Sequence, residues 1–202
     1  MNKIISKFII RSLLLVFVTC EATAIAYCSL RDPVAQMLDL YPNKTNQLSI
    51  VKTVDADIRA KVQVALPNND LHFSELGQHT LYVAMDGESL LGYIHVRSEQ
   101  SDWGLVEIVW AIAKDMTISN FVFQRCRSPK KQLAEQPYFK EIFIGKNYSQ
   151  LKALLNNDGK TANDNVLEQA KGASDLANVV LRCALKTLLL TEVLWGDDLN
   201  QL

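Results

Sequence analysis

An excess of one charge sign is missing from this sequence: 21 Lys and Arg stand against 22 Asp and Glu, a formal net charge of -1. Phosphate-backbone binding leans on clustered Lys and Arg and on a basic balance, which excludes a general nucleic-acid binder. Metal and thiol chemistry are as thinly provided for. There is no C-x-x-C pair, and the three histidines, His72, His79 and His95, sit at spacings that suggest no zinc site. No Ser-His-Asp grouping or paired-carboxylate motif is visible from spacing, so hydrolysis has no specific support. Internal repeats and low-complexity tracts are absent. What is present, 49% hydrophobic and 21% charged residues over 202 positions, describes one ordinary globular domain with a real core.

Residues 1–26 follow a pattern of their own. Lys3, Lys7 and Arg11 precede an apolar run from Leu13 to Cys20, and small residues follow at Ala22, Ala24 and Ala26. This is the layout of a signal peptide, with the mature chain starting near Ile25 or Tyr27, or of an uncleaved N-terminal membrane anchor. Glu21 and the shortness of the run weigh against the anchor, since a spanning helix wants about 20 mostly apolar residues. Either reading sends the chain out of the cytoplasm, to the periplasm or to the outer face of the cytoplasmic membrane. Export permits disulfides, but the remainder keeps an odd number of cysteines, Cys28, Cys126 and Cys183. At most one disulfide is expected, with Cys183 a buried helix residue.

Hydrophobic periodicity orders the rest. Asp32 to Leu40 reads as a helix ended by the Tyr41-Pro42-Asn43 turn, and Asp55 to Leu66 as a second helix capped by Asp55. From Thr80 the period changes to two. Thr80 to Met85, Leu90 to Arg97, Leu105 to Ala113 and Ile118 to Gln124 read as strands, with turns at Asp86-Gly87 and Lys114-Asp115-Met116. Short connections between them favour an antiparallel meander. An amphipathic piece at Tyr138 to Ile144, a helix at Tyr148 to Leu155, and a long apolar helix from about Ser174 to Leu194 complete the chain. The expected class is α+β: an antiparallel twisted sheet, meander or half-barrel, flanked by helices, with the last helix packed across it.

Gly172-Ala173-Ser174 stands immediately before that last helix. A helix start presents unpaired N–H groups and a partial positive charge, and a glycine lets an anion approach the backbone, so phosphate is the natural guest. The plain alternative is that Ser174 caps the helix and Gly172 turns the chain. Trp103, next to Gly104 at a strand start, offers an aromatic face to a planar ligand, whereas Trp110 within an apolar strand reads as core. Arg125 to Lys131, which includes Arg127, reads as a solvated basic loop.

Taken together, these segments resemble the FMN-binding domain family found in subunits of sodium-translocating quinone reductases and of Rnf-type electron-transport complexes. The resemblance covers most of residues 27–202. It is carried by the Tyr41-Pro42 turn, by Leu91-Gly92-Tyr93, by Trp103-Gly104-Leu105, and by Phe139 to Lys146 ending in Gly145-Lys146. It implies that Glu168-Gln169-Ala170-Lys171-Gly172-Ala173-Ser174 stands where the family has D-x-x-S/T-G-A-T, whose last threonine a dedicated flavin transferase esterifies to FMN. Gly172 and Ala173 match that motif, while Glu168, Lys171 and Ser174 depart from it. The resemblance thus implies an FMN-binding electron-transfer module, with Lys171, Gly172, Ala173, Ser174, Trp103, Gly104 and Arg127 as the cofactor-binding residues and no catalytic residue of its own. Its partners would be a redox protein or a membrane electron-transport complex. The departures leave open covalent FMN at Ser174, noncovalent FMN, or a cofactor-free binding or scaffold domain; a flavin-dependent reductase of unknown substrate is a further alternative.

Overall fold

A computed structural model describes residues 33–72 and 75–202. The expected signal peptide or anchor, and Cys28 with it, lie outside the described residues.

The sheet is an antiparallel meander of five strands in sequence order. β1 spans Asn46–Val54, β2 Gly77–Asp86, β3 Ser89–Ser101, β4 Gly104–Ile112 and β5 Ile118–Arg125. Four of these were expected. β1 was not, and its composition explains why: Asn46, Gln47, Lys52 and Thr53 interrupt any apolar alternation, and as an edge strand it is mostly exposed. Its order comes from the ladder that β2 supplies, from Asn46 opposite Met85 to Val54 opposite Gly77.

The helices meet the expectations in outline. α1 (Val34–Leu40) precedes the sheet, and α2 (Ala56–Ala65) links β1 to β2, with the Asp55 carboxylate accepting from Ile58 N–H at 2.9 Å as its N-cap. Four short helices follow β5: α3 (Lys131–Ala134), α4 (Pro137–Lys140), α5 (Tyr148–Lys152) and α6 (Asp164–Gln169). Tyr138 to Ile144 is not one amphipathic helix. Pro137 opens a single turn that ends near Lys140, and the following carbonyls bond as turns into Gly145. α7 spans Ser174–Leu199, 26 residues and about 39 Å long at 1.5 Å per residue, five residues longer than its apolar stretch suggests.

Strand periodicity of two divides the sheet into two faces. Leu81, Val83, Tyr93, Ile108, Trp110, Ile112, Phe121 and Phe123 form the core with α7. The opposite face buries Ile94, Val96 and Val109 beneath Met37 of α1. Trp110 is fully buried, as expected, and its indole N–H donates to Cys183 Sγ at 3.4 Å. α7 runs obliquely from the end of β5 over β4 and β3 to β1. At one end Ser128 Oγ lies 3.3 Å from Asp175 Oδ2; at the other, Trp195 Nε1 donates to Ile50 O at 3.1 Å and Asp198 pairs with Lys52. Among the described residues no helix is long and apolar enough to cross a membrane.

Candidate functional site

Two places in the fold combine polar groups with access. The first is the start of α7. Lys171 and Gly172 both take positive φ, 47° and 92°, so the chain enters the helix through a left-handed bend. Gly172 has open space where a Cβ would stand, with no atom within 4 Å. The N-cap is Ala173, which has no side chain to accept from the first turn, and Ser174 is the first residue inside the helix. The plain alternative, in which Ser174 caps the helix, does not hold: a cap side chain must stand one position earlier to reach the N2 and N3 amides. Ser174 is half-buried, and Asp175 places a carboxylate in the first turn, where it already meets part of the helix dipole.

Around this bend the sequence-expected residues are partly assembled. Lys171, Gly172, Ala173 and Ser174 are contiguous, with Lys171 Nζ 4.4 Å from the centre of the Tyr138 ring. The loop after β5 reaches them through Ser128, which bonds Asp175, and Arg127, one position before Ser128 in the chain, is exposed. In that loop burial pushes the Cys126 thiol up from its ordinary value. Trp103 stays apart, 51% exposed at the tip of the β3–β4 hairpin next to Gly104. Among the described residues no hydrogen bond or ring contact joins Trp103 to the start of α7.

The second place was not anticipated. Because β3 alternates, the positions following Tyr93 on the α7 side are His95, Arg97 and Glu99, three polar residues where the core pattern asks for apolar ones. Above them α7 carries Arg182, Lys186, Thr187 and Thr191. Glu75, in the segment leading into β2, completes the cluster. Its carboxylate pairs with Arg97 and accepts from Lys186 Nζ at 3.1 Å. Lys186 Nζ also lies 2.8 Å from Glu99 Oε2, and Arg182 Nε lies 3.6 Å from Glu99 Oε1. Ions out of water cost several kcal/mol each unless paired, and here each is paired at least once.

The histidines in this cluster are held neutral. Arg97 Nη1 can only donate, so His79 Nδ1, 3.3 Å away, is the acceptor and Nε2–H donates to the Glu75 carbonyl at 2.9 Å. Protonation at Nδ1 would aim a second donor at a guanidinium. Burial, then the charge of Arg97, accordingly push the His79 imidazole down from 6.5 to about 4. Thr191 Oγ1 donates to Thr187 O at 2.8 Å, which leaves it to accept from His95 Nδ1–H at 2.9 Å. His95 Nε2 is then an acceptor without a partner, and burial, followed by Arg97 and His79, holds the ring well below its ordinary value. Burial drives the Glu75 carboxyl up, but Arg97, Lys186 and His72 together outweigh it and hold the group ionised below its ordinary value.

A cavity of about 260 Å³ opens at one end of this network, lined by Asn68, Asn69, Asp70, Glu99, Lys160, Arg182 and Lys186. Among the described residues, no group of three or more His, Cys, Asp and Glu is arranged to hold a metal ion. A signal for the cluster did exist in the sequence. Lys186 interrupts an otherwise apolar stretch of the last helix, and Arg97 and Glu99 continue the inward alternation of Tyr93 and His95. No protein-family model matches this chain, and no curated protein matches it either.

Proposed function

We propose that the chain is a flavin-holding electron-transfer module that works outside the cytoplasmic membrane, with the FMN phosphate seated at the start of α7. The observation that carries the reading is the left-handed bend at Lys171-Gly172 with open space above it, opening a 26-residue helix whose N-cap residue, Ala173, offers no side-chain oxygen. The residues fit a phosphate. Backbone amides of the first turn donate to it, the Ser174 hydroxyl stands at the same turn, and Lys171 exchanges its contact with Tyr138 for the anion. Arg127, one position before Ser128 in the chain, adds positive charge. FMN, when bound, supplies the redox chemistry. The protein holds the group, sets the charge around it and presents it to a redox partner protein or a membrane electron-transport complex.

The test is direct. The full chain, produced in an exporting host together with a flavin transferase, is expected to carry flavin, read by its absorbance and by fluorescence in a denaturing gel. Ser174→Ala removes the gel signal if attachment is an ester at that hydroxyl; flavin released on denaturation instead marks noncovalent binding. Protein with neither form of flavin would sink the proposal. It would favour a cofactor-free binding domain, to which Asp175 and the Lys171–Tyr138 contact already lend weight because they occupy the helix start themselves.

A further inference from the structure

The crossover from α2 to β2, residues 67–76, is held to the body by a few polar ties. Glu75 supplies most of them. Its carboxylate, 1% exposed, pairs with Arg97 of β3 and accepts from Lys186 of α7 at 3.1 Å, and its carbonyl accepts from His79 Nε2–H at 2.9 Å. His72 N–H donates to the same carboxylate at 2.9 Å. Earlier in the crossover, Asn68 Nδ2 donates to Asp158 O at 3.0 Å and Asn69 Nδ2 to Gly159 O, while Leu71 is buried. The described residues of this stretch lie outside every strand and α-helix, so these ties, rather than a ladder, set its stability.

His79 joins both sides of this clasp. Through Nε2 it donates to the crossover, and through Nδ1 it accepts from Arg97, the guanidinium that holds Glu75. That arrangement exists only for a neutral ring, because a proton at Nδ1 would face Arg97 Nη1, donor against donor. The surroundings give little relief. Lys52 of β1 stands directly opposite His79 and is itself paired with Asp198 of α7, and the His95 ring of β3 lies 5.8 Å away. On the crossover side His72 contacts Glu75, and from α7 Lys186 does the same. Glu75, whose charge does favour the proton, is already shared by Arg97 and Lys186.

We propose that Glu75, His79 and Arg97 form a proton-released clasp: when His79 takes up a proton, the crossover detaches from β3 and α7 while the sheet stays folded. Asn68, Asn69 and Asp70 of the crossover form one wall of the cavity that Lys186 and Glu99 also line, so detachment opens that cavity to water. Attached, His79 binds its proton only near pH 4; hydrated, it does so near 6.5. The detached state therefore holds more protons, and acid favours it, beginning below pH 6.5 and saturating near 4. Between pH 7 and 5 the gain has a ceiling of about twentyfold. Glu75, held below its ordinary value, stays ionised throughout this window. The clasp does not involve the start of α7, so it stands apart from the flavin reading.

Amide hydrogen exchange of the full chain, resolved by residue at pH 7 and pH 5 and corrected for the intrinsic pH dependence of exchange, tests the clasp. The reporters are the amides of Asn69, His72 and Glu75, bonded to Leu66 O, the Glu75 carboxylate and His72 O. Their opening should increase by about tenfold on acidification and should not respond to dilute urea, the mark of a local event. Amides of the central strand β4, such as Val109 and Trp110, should exchange only through urea-sensitive unfolding. His79→Gln, which keeps both hydrogen bonds and does not titrate, should remove the acid increase from the reporters. If that variant fails to fold, the urea response of the parent chain at pH 5 still decides. Reporters that share the urea dependence of β4, an increase under about twofold, or a full increase in His79→Gln would each overturn the proposal.

Discussion

Acid should loosen this protein well before its carboxylates are neutralised, because of the two imidazoles beneath α7. In the unfolded chain His79 takes up a proton near its ordinary value of 6.5; in the folded chain Arg97 and burial delay that until about 4. Between those limits the unfolded state binds one more proton than the folded state, so stability falls as pH falls. At about 1.36 kcal/mol per pH unit the gap amounts to about 3 kcal/mol for His79 alone. His95 adds in the same direction, since its buried Nε2 has no group to share a proton with. Glu75, whose folded value lies below the ordinary 4.5, contributes with the same sign, but only in more acidic solution. The window from pH 6.5 to 4.5 therefore isolates the histidines. Urea denaturation across it should show the midpoint dropping with a slope that corresponds to one to two protons. His79→Gln keeps a donor for the Glu75 carbonyl and an acceptor for Arg97 without titrating, and it should remove about one proton from that slope. A midpoint unchanged between pH 7 and 5, or a slope untouched by His79→Gln, would refute the reasoning.

Three more outcomes follow from packing on the two faces of the sheet. Lys186→Met strips Glu99 of its closer cation and Glu75 of one of its cationic partners, and should cost about 3–5 kcal/mol in urea denaturation; a loss under about 1 kcal/mol would mean that the network is already solvated. Gly92→Ala would drive a Cβ into the Tyr41 hydroxyl and the Ile112 carbonyl, which are themselves bonded at 3.0 Å, for a loss of about 1–3 kcal/mol by the same assay. Cys183, its thiol pushed up to about 12 by burial and then by Glu99, should resist alkylation at neutral pH in the folded protein and react at once in denaturant.

The legible parts of the fold are those whose signal is local. β2 to β5 were readable because short turns separate apolar alternations, and α7 because leucine, valine and alanine persist past any strand length. β1 escaped because an edge strand with one open side needs no apolar stripe of its own; its partner supplies the ladder. α6 escaped because only Val166 of its six residues is buried. The start of α7 was found as a bend before a helix, and the alternative in which Ser174 caps it missed by the one residue that separates a cap from a first turn. The ionic cluster is a different failure. Glu75 lies 22 residues from Arg97 and 111 from Lys186, so nothing in any window relates them. Only the misfit of each charge within its own apolar pattern hinted that partners existed elsewhere.

The contact between the two ends of the described chain also governs how the molecule can be made. Ile50 and Trp195 are 145 positions apart, and the pair Lys52–Asp198 is equally remote. During synthesis the meander is complete long before the helix that shields its hydrophobic side has emerged, so that side stays uncovered while about seventy further residues are added at about 5–20 residues per second. Final closure is a distant, entropically expensive encounter and should be slow relative to hairpin formation. For several seconds in every copy's life, then, its aromatic sheet face depends on whatever holds nascent chains apart.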